Sequence, residues 1–196
     1  MSKPGVCFFG SASDAAPAWA RTAAAEFGAA CARNAWRLVY GGSRKGLMAA
    51  AAQAALAGGG EVIGVMPERL VARELADPTI TRLHVVASLA ERKQMMADLS
   101  DLFVALPGGV GTLDELTEMV TWHDLGVHEK PTVLANLDGF WDPLLDLLAR
   151  FRDARMLRPT VGGSLVVVDG VPALVAAVAG LLDRRPTLEL GRDPLA

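Results

Sequence analysis

Cysteine is scarce: Cys7 and Cys31 are the only two in 196 residues, and they have neither the spacing of a metal site nor the density of a disulfide framework. They read as small buried hydrophobes in a reducing compartment, and redox chemistry finds no support. Basic tracts are also missing. The 19 Lys and Arg residues are scattered among 22 Asp and Glu, for a net charge of −3, so the footprint of a nucleic-acid binder is absent and no nucleic-acid polymer is expected as partner. No apolar run approaches the roughly 20 residues needed to span a bilayer, which excludes a membrane partner of that kind. The opening MSKPGVCFFGSAS carries one lysine and a short apolar core that reads as a first strand rather than a signal peptide, so the expected location is cytoplasmic. His84, His123 and His128 lack ligand spacing, and no metal or other cofactor is expected. No internal repeat or low-complexity linker interrupts the chain.

What is present is a hydrophobic content of 52%, enough for one well-packed domain. Short runs, apolar on both faces, occur at 6–10, 37–41, 61–66, 83–87, 102–106, 132–137 and 165–169. They have the character of parallel strands covered by helices. Between them lie helical patterns at Pro17–Asn34, Gly46–Ala57, Leu89–Ser100, Thr112–Leu125, Phe140–Arg155 and Pro172–Arg184. This alternation predicts an α/β fold, a doubly wound Rossmann-like parallel sheet flanked by helices, with ligands at the carboxyl ends of the strands. Residues 1–184 read as the single domain and 185–196 as a loosely attached C-terminal tail.

The segment Pro107-Gly108-Gly109-Val110-Gly111-Thr112-Leu113-Asp114-Glu115 leaves a predicted central strand and opens a helix. There, unpaired backbone N–H groups and the helix dipole favour an anion, and glycines let it come close. Neither of the usual nucleotide fingerprints, GxxxxGK[ST] or GxGxxG, is matched. Two readings fit locally: a phosphate-binding turn, or a tight turn closed by a Thr112-x-x-Glu115 capping box with Thr112 as N-cap. Capping needs no Gly-Gly-x-Gly, and a second glycine turn, YGGSRKGLM at 40–48, also joins a strand to a helix; both facts favour the phosphate.

Arg92 shares a 3-4-3 stripe with Leu89, Met96 and Leu99, which places it on the inward face of its helix. It must then snorkel to the surface or pair with a carboxylate such as Glu91 or Glu115. Lys93 lies off that stripe, within reach of a phosphate or of solvent. Met95, Met96 and Met119 sit at core spacing, Trp36, Trp122 and Trp141 suit cores or interfaces, and Leu144, Leu147, Leu148 and Phe151 suggest a helix laid on the sheet.

Together YGGSRKGLM, Arg92-Lys93 with Met96, PGGVGTLDE, TWHDLGVHEKP, FGSAS and NLDGFWDPLL resemble the LONELY GUY (LOG) family, often labelled lysine decarboxylases, over roughly residues 5–155. The resemblance implies a homodimeric Rossmann-like phosphoribohydrolase. Such enzymes cleave the N-glycosidic bond of nucleoside 5′-monophosphates, characteristically cytokinin ribotides and also AMP, to free base and ribose 5-phosphate. It further implies Arg92 and Glu115 as the catalytic pair. Ser11, Gly41, Gly42, Glu74, Lys93, Gly108, Gly109, Val110, Gly111, Thr112, Leu113, Asp114 and Thr121 would line or flank the substrate site. Where the family commonly carries a third glycine and an uncharged pair, this chain has Ser43-Arg44-Lys45, two cations that either strengthen phosphate binding or are solvated.

The residue types suit that reaction. Breaking a ribosyl C–N bond builds positive charge on the sugar, which a carboxylate at Glu115 can stabilise while orienting water. Arg92 is a poor proton donor and suits holding phosphate or ribose and orienting Glu115. Asp114 and Glu118 are further acid–base candidates, although helix N-termini are commonly acidic. Two other functions are a non-catalytic carrier of a nucleotide or molybdenum cofactor, and an amino-acid decarboxylase, whose usual Schiff-base lysine nothing around Lys45, Lys93 or Lys130 marks.

Overall fold

The structure is a computed structural model that describes residues 3–73, 75–158 and 164–184. In chain order the elements are β1 (Gly5–Phe9), α1 (Ala18–Arg33), β2 (Arg37–Tyr40), α2 (Gly46–Ala57), β3 (Val62–Pro67), α3 (Glu68–Val71), β4 (Arg82–Val86), α4 (Leu89–Asp98), β5 (Leu102–Ala105), α5 (Val110–Asp124), β6 (Thr132–Ala135), α6 (Asp142–Asp153), β7 (Leu165–Val168) and α7 (Val171–Asp183). The predicted strands and the six longer helices are present. The tail at 185–196 lies outside the described residues.

Seven strands form one parallel sheet in the order β4-β3-β2-β1-β5-β6-β7. The chain winds outward from β1 in one direction, then restarts at β5 on its other side, where Val6 faces Leu102 and Phe9 faces Ala105. Loops leaving β1 and β5 therefore diverge at their carboxyl ends and open a crevice between them. The strands are short and apolar because both faces are covered. On β1, Val6 and Phe8 pack towards α1, α2 and α7, while Cys7 and Phe9 pack towards α4, α5 and α6. Among the described residues no helix is long and apolar enough to cross a membrane.

Three expectations need correction. Helix α5 starts at Val110 with Gly109 as its N-cap, so Thr112 is not the cap and the capping box does not form. On α4, Arg92 and Met96 turn inward but Leu89 is exposed, because it stands at the first turn over the crevice and not over the sheet. On α6, only part of the predicted stripe meets the sheet: Leu144 packs against the core, together with Leu145 from outside the stripe, whereas Leu147 and Phe151 face outward.

Candidate active site

The crevice at the switch between β1 and β5 holds a cleft of about 380 Å³. One side is the start of α5, with Gly109, Gly111, Thr112, Asp114 and Glu115; the other is Gly10-Ser11-Ala12 after β1 and Gly41 and Ser43 after β2. Arg92 and Lys93 of α4 close the floor, and Met48, Met66, Leu70, Leu75 and Leu89 supply an apolar wall. A side-chain atom added at Gly109 or Gly111 would meet nothing within 4 Å, so these glycines leave free the space above the first amides of α5 where an anion is favoured. A larger cavity of about 1000 Å³ lies between α6 and β7, but its lining combines leucines, valine and arginines with no carboxylate.

Glu115 and Arg92 meet at the bottom of the cleft. The guanidinium Nη2 stands 3.2 Å from Glu115 Oε1, and Arg92 Nε donates to the Val65 carbonyl at 3.1 Å, so the arginine is held from two directions. With α5 starting at Val110, Glu115 falls on the turn that faces the sheet and is only 8% exposed. Burial raises its carboxyl to about 7; Arg92 pulls the other way, and Asp114 and Glu118 add to the rise. Such a group exchanges protons at neutral pH, which an ordinary surface glutamate does not.

Gly41 is fixed by this arrangement. A Cβ there would collide with Arg92 Nη2, so only glycine lets the β2 turn lie against the guanidinium. Its neighbour Gly42 has φ +74°, a backbone state that favours glycine. Gly41→Ala is expected to fold but with a lowered Tm, because the clashing atom is the end of a side chain that must give up its place between Val65 and Glu115. It should lose about tenfold to a hundredfold in kcat/KM as the guanidinium moves away from Glu115. A Gly41→Ala enzyme with wild-type kinetics would show that the guanidinium position does not matter.

Lys93 is not solvated. Its ammonium lies 3.0 Å from Asp114 and 2.5 Å from Glu118, which joins α4 to α5. Burial works against its charge, but the hydrogen bonds and attraction from the two carboxylates outweigh it and hold the ammonium above its usual range. Asp114 and Glu118 thus have a specific partner beyond the helix dipole.

Of the residues anticipated from sequence, Ser11, Gly41, Arg92, Lys93, Gly109, Gly111, Thr112, Asp114 and Glu115 share the cleft. Gly42 and Gly108 lie behind it, Gly108 directly under Thr112. Val110 projects into solvent, and Leu113 packs on the core. Thr121, about three turns along α5, is exposed with its hydroxyl on the Thr117 carbonyl and does not line the cleft of this chain. Glu74 lies outside the described residues. Ser43 lines the cleft, whereas Arg44 and Lys45 are exposed beside it, with Lys45 4.0 Å from Asp14. The apolar wall was not anticipated. Its residues come from α2, β3, α3, the segment after it and α4, and no local spacing links them.

A family model described as "Possible lysine decarboxylase" matches residues 48–178. Named relatives align over most of the chain. A cytokinin riboside 5′-monophosphate phosphoribohydrolase of Mycobacterium tuberculosis is 47% identical over 156 residues, covering 80% of this chain and 83% of its own. One from Rhodococcoides fascians is 44% identical over 152 residues, 77% of each chain. The chain belongs to the LOG family. Among solved structures, the molybdenum cofactor carrier protein of Chlamydomonas reinhardtii superposes with a TM-score of 0.72 at 26% identity, covering 93% of this chain and 99% of the carrier. The decarboxylase label of the LOG family finds little in this cleft, since a Schiff base starts from a neutral amine and Lys93, the cleft's lysine, is held charged.

Proposed function

We propose that the protein hydrolyses the N-glycosidic bond of nucleoside 5′-monophosphates, cytokinin ribotides and AMP among them, to free base and ribose 5-phosphate. The observation that carries this reading is the buried Arg92–Glu115 pair at 3.2 Å, set beside the open first turn of α5. The phosphate sits on the amides from Gly109 to Thr112, the ribose lies over Glu115, and the base rests against Met48, Met66, Leu70 and Leu75. Water attacks C1′ as the C1′–N bond breaks, the base leaves with the bonding electrons, and the proton lost by water compensates the base. Ionised Glu115 stabilises the positive charge at C1′ and orients the water. Arg92 keeps the carboxylate in place and supports the sugar phosphate.

The test is chromatographic detection of free base after incubation with AMP and with isopentenyl-AMP, repeated across pH. Base release is expected from both. Because the ionised carboxylate acts and its midpoint is about 7, kcat/KM should rise with pH through an inflection near that value. The substrate phosphate titrates nearer 6 and is separable. A profile that falls through pH 7 would refute the role given to Glu115.

The likeness to the molybdenum cofactor carrier favours a second reading, a carrier on the same fold. Tight nucleotide binding without base release would put it first. We further propose a cytoplasmic homodimer; the free buried thiols support the compartment, and the outward Phe140, Leu147 and Phe151 around α6 support a partner subunit.

A further inference from the structure

Outside the cleft, one buried carboxylate takes no part in the scheme above. Asp77 is 2% exposed and does not line the cleft, yet it is the meeting point of three segments. Its Oδ1 accepts from the backbone N–H of Thr79 at 2.9 Å and from the Thr79 hydroxyl at 2.6 Å, and its Oδ2 accepts from Gln53 Nε2 of α2 at 2.8 Å. Its own N–H donates to the Gly42 carbonyl at 2.9 Å. Next to it, the Arg44 N–H donates to the Leu75 carbonyl at 3.0 Å, and Ala76 forms an antiparallel bridge with Ser43. Residues 75–77 are thus laced to the glycine turn after β2, the turn that touches Arg92 through Gly41 and lines the cleft through Ser43.

We propose that Asp77 is a positioning residue of the cleft: its carboxylate ties residues 75–77 to Gln53 of α2 and to Thr79, and the backbone bonds of that segment to the Gly41–Ser43 turn then let Leu75 and Ser43 hold the wall opposite α5. A buried carboxylate is a weak source of net stability, but its three donors, drawn from α2 and Thr79, define one geometry for a segment with no helix or strand of its own. The wall it fixes receives the base, away from Glu115, so its loss is felt in binding more than in bond cleavage. This inference rests on the cleft being a nucleotide site.

Asp77→Ala should raise KM for AMP about tenfold while kcat stays within about threefold, the pattern of lost uniform binding. Asp77→Asn should recover most of the loss, because Asn still accepts from Thr79 and its amide can donate to a turned Gln53. A purely structural role predicts a lower Tm with KM and kcat of the folded enzyme unchanged, and that result would overturn the proposal. Should Asp77→Ala fail to fold by circular dichroism, Gln53→Ala, at an exposed position of α2, removes one of the three bonds. An increase of about threefold in KM supports the proposal, and an unchanged KM overturns it. The Kd for AMP, measured by calorimetry alongside, separates the two readings. If wild type binds AMP but releases no adenine, the hydrolase reading fails, and the ratio of variant to wild-type Kd still decides the role of Asp77.

Discussion

Glu115→Gln is expected to bind AMP with near wild-type affinity and to release adenine at least about a thousandfold more slowly, a loss of about 4 kcal/mol in transition-state stabilisation. The amide keeps the shape of the side chain and can still accept from Arg92, so the cleft should persist. What it cannot do is carry negative charge beside C1′. The proposed phosphate contacts, on backbone amides six residues or fewer upstream, do not depend on that charge. Chromatography of the products together with calorimetric Kd values checks both halves, and a variant that keeps more than a tenth of the wild-type rate would remove Glu115 from the reaction. Folding supplies an independent control. The carboxyl moves from an ordinary 4.5 to about 7 on folding, so its contribution to stability is fully present below 4.5 and is lost as pH rises through 7. The Gln variant lacks that dependence, and its Tm should vary less between pH 5 and pH 8.

The fold was legible because its signals are local. Seven short apolar runs separated by helical periods specify a parallel sheet, and a glycine loop after β5 marks the end where ligands bind. Arg92 and Glu115 were also legible, one as a cation on an inward stripe and the other at a fixed distance from the loop. The start of α5 was misplaced by two residues because Thr-x-x-Glu is a capping signal wherever it occurs. Here Gly109 caps with extended backbone, φ −94° and ψ −156°, and frees Thr112 and Glu115 to turn inward. The partners of Lys93 were not legible, since Asp114 and Glu118 reach it across two helices. Nor was Asp77, whose sequence neighbourhood, LADPTIT, reads as a polar turn. Its partners Gln53 and Gly42 lie more than twenty residues upstream, and only tertiary packing brings them together.

Arg92→Ala should cost at least as much as Glu115→Gln, by a different route. The variant removes a cation bound to both Val65 and Glu115 and leaves a buried carboxyl with its main attractive partner gone. Since Arg92 is the largest influence holding that carboxyl down, its pKa is expected to move further above 7. At pH 7 most Glu115 is then protonated and unable to stabilise C1′. Loss of the proposed contact between the guanidinium and the sugar phosphate adds to this, and kcat/KM should fall by about 10³-fold to 10⁴-fold, with KM rising as well as kcat falling. The two causes can be told apart by pH. If Arg92 acts partly through Glu115, the residual rate of Arg92→Ala climbs at higher pH, with an inflection displaced upward from the wild-type value. If Arg92 serves substrate binding alone, the inflection stays near 7 and only KM changes; that outcome would separate the pair into two independent contacts and would remove the arginine from the positioning of the carboxylate.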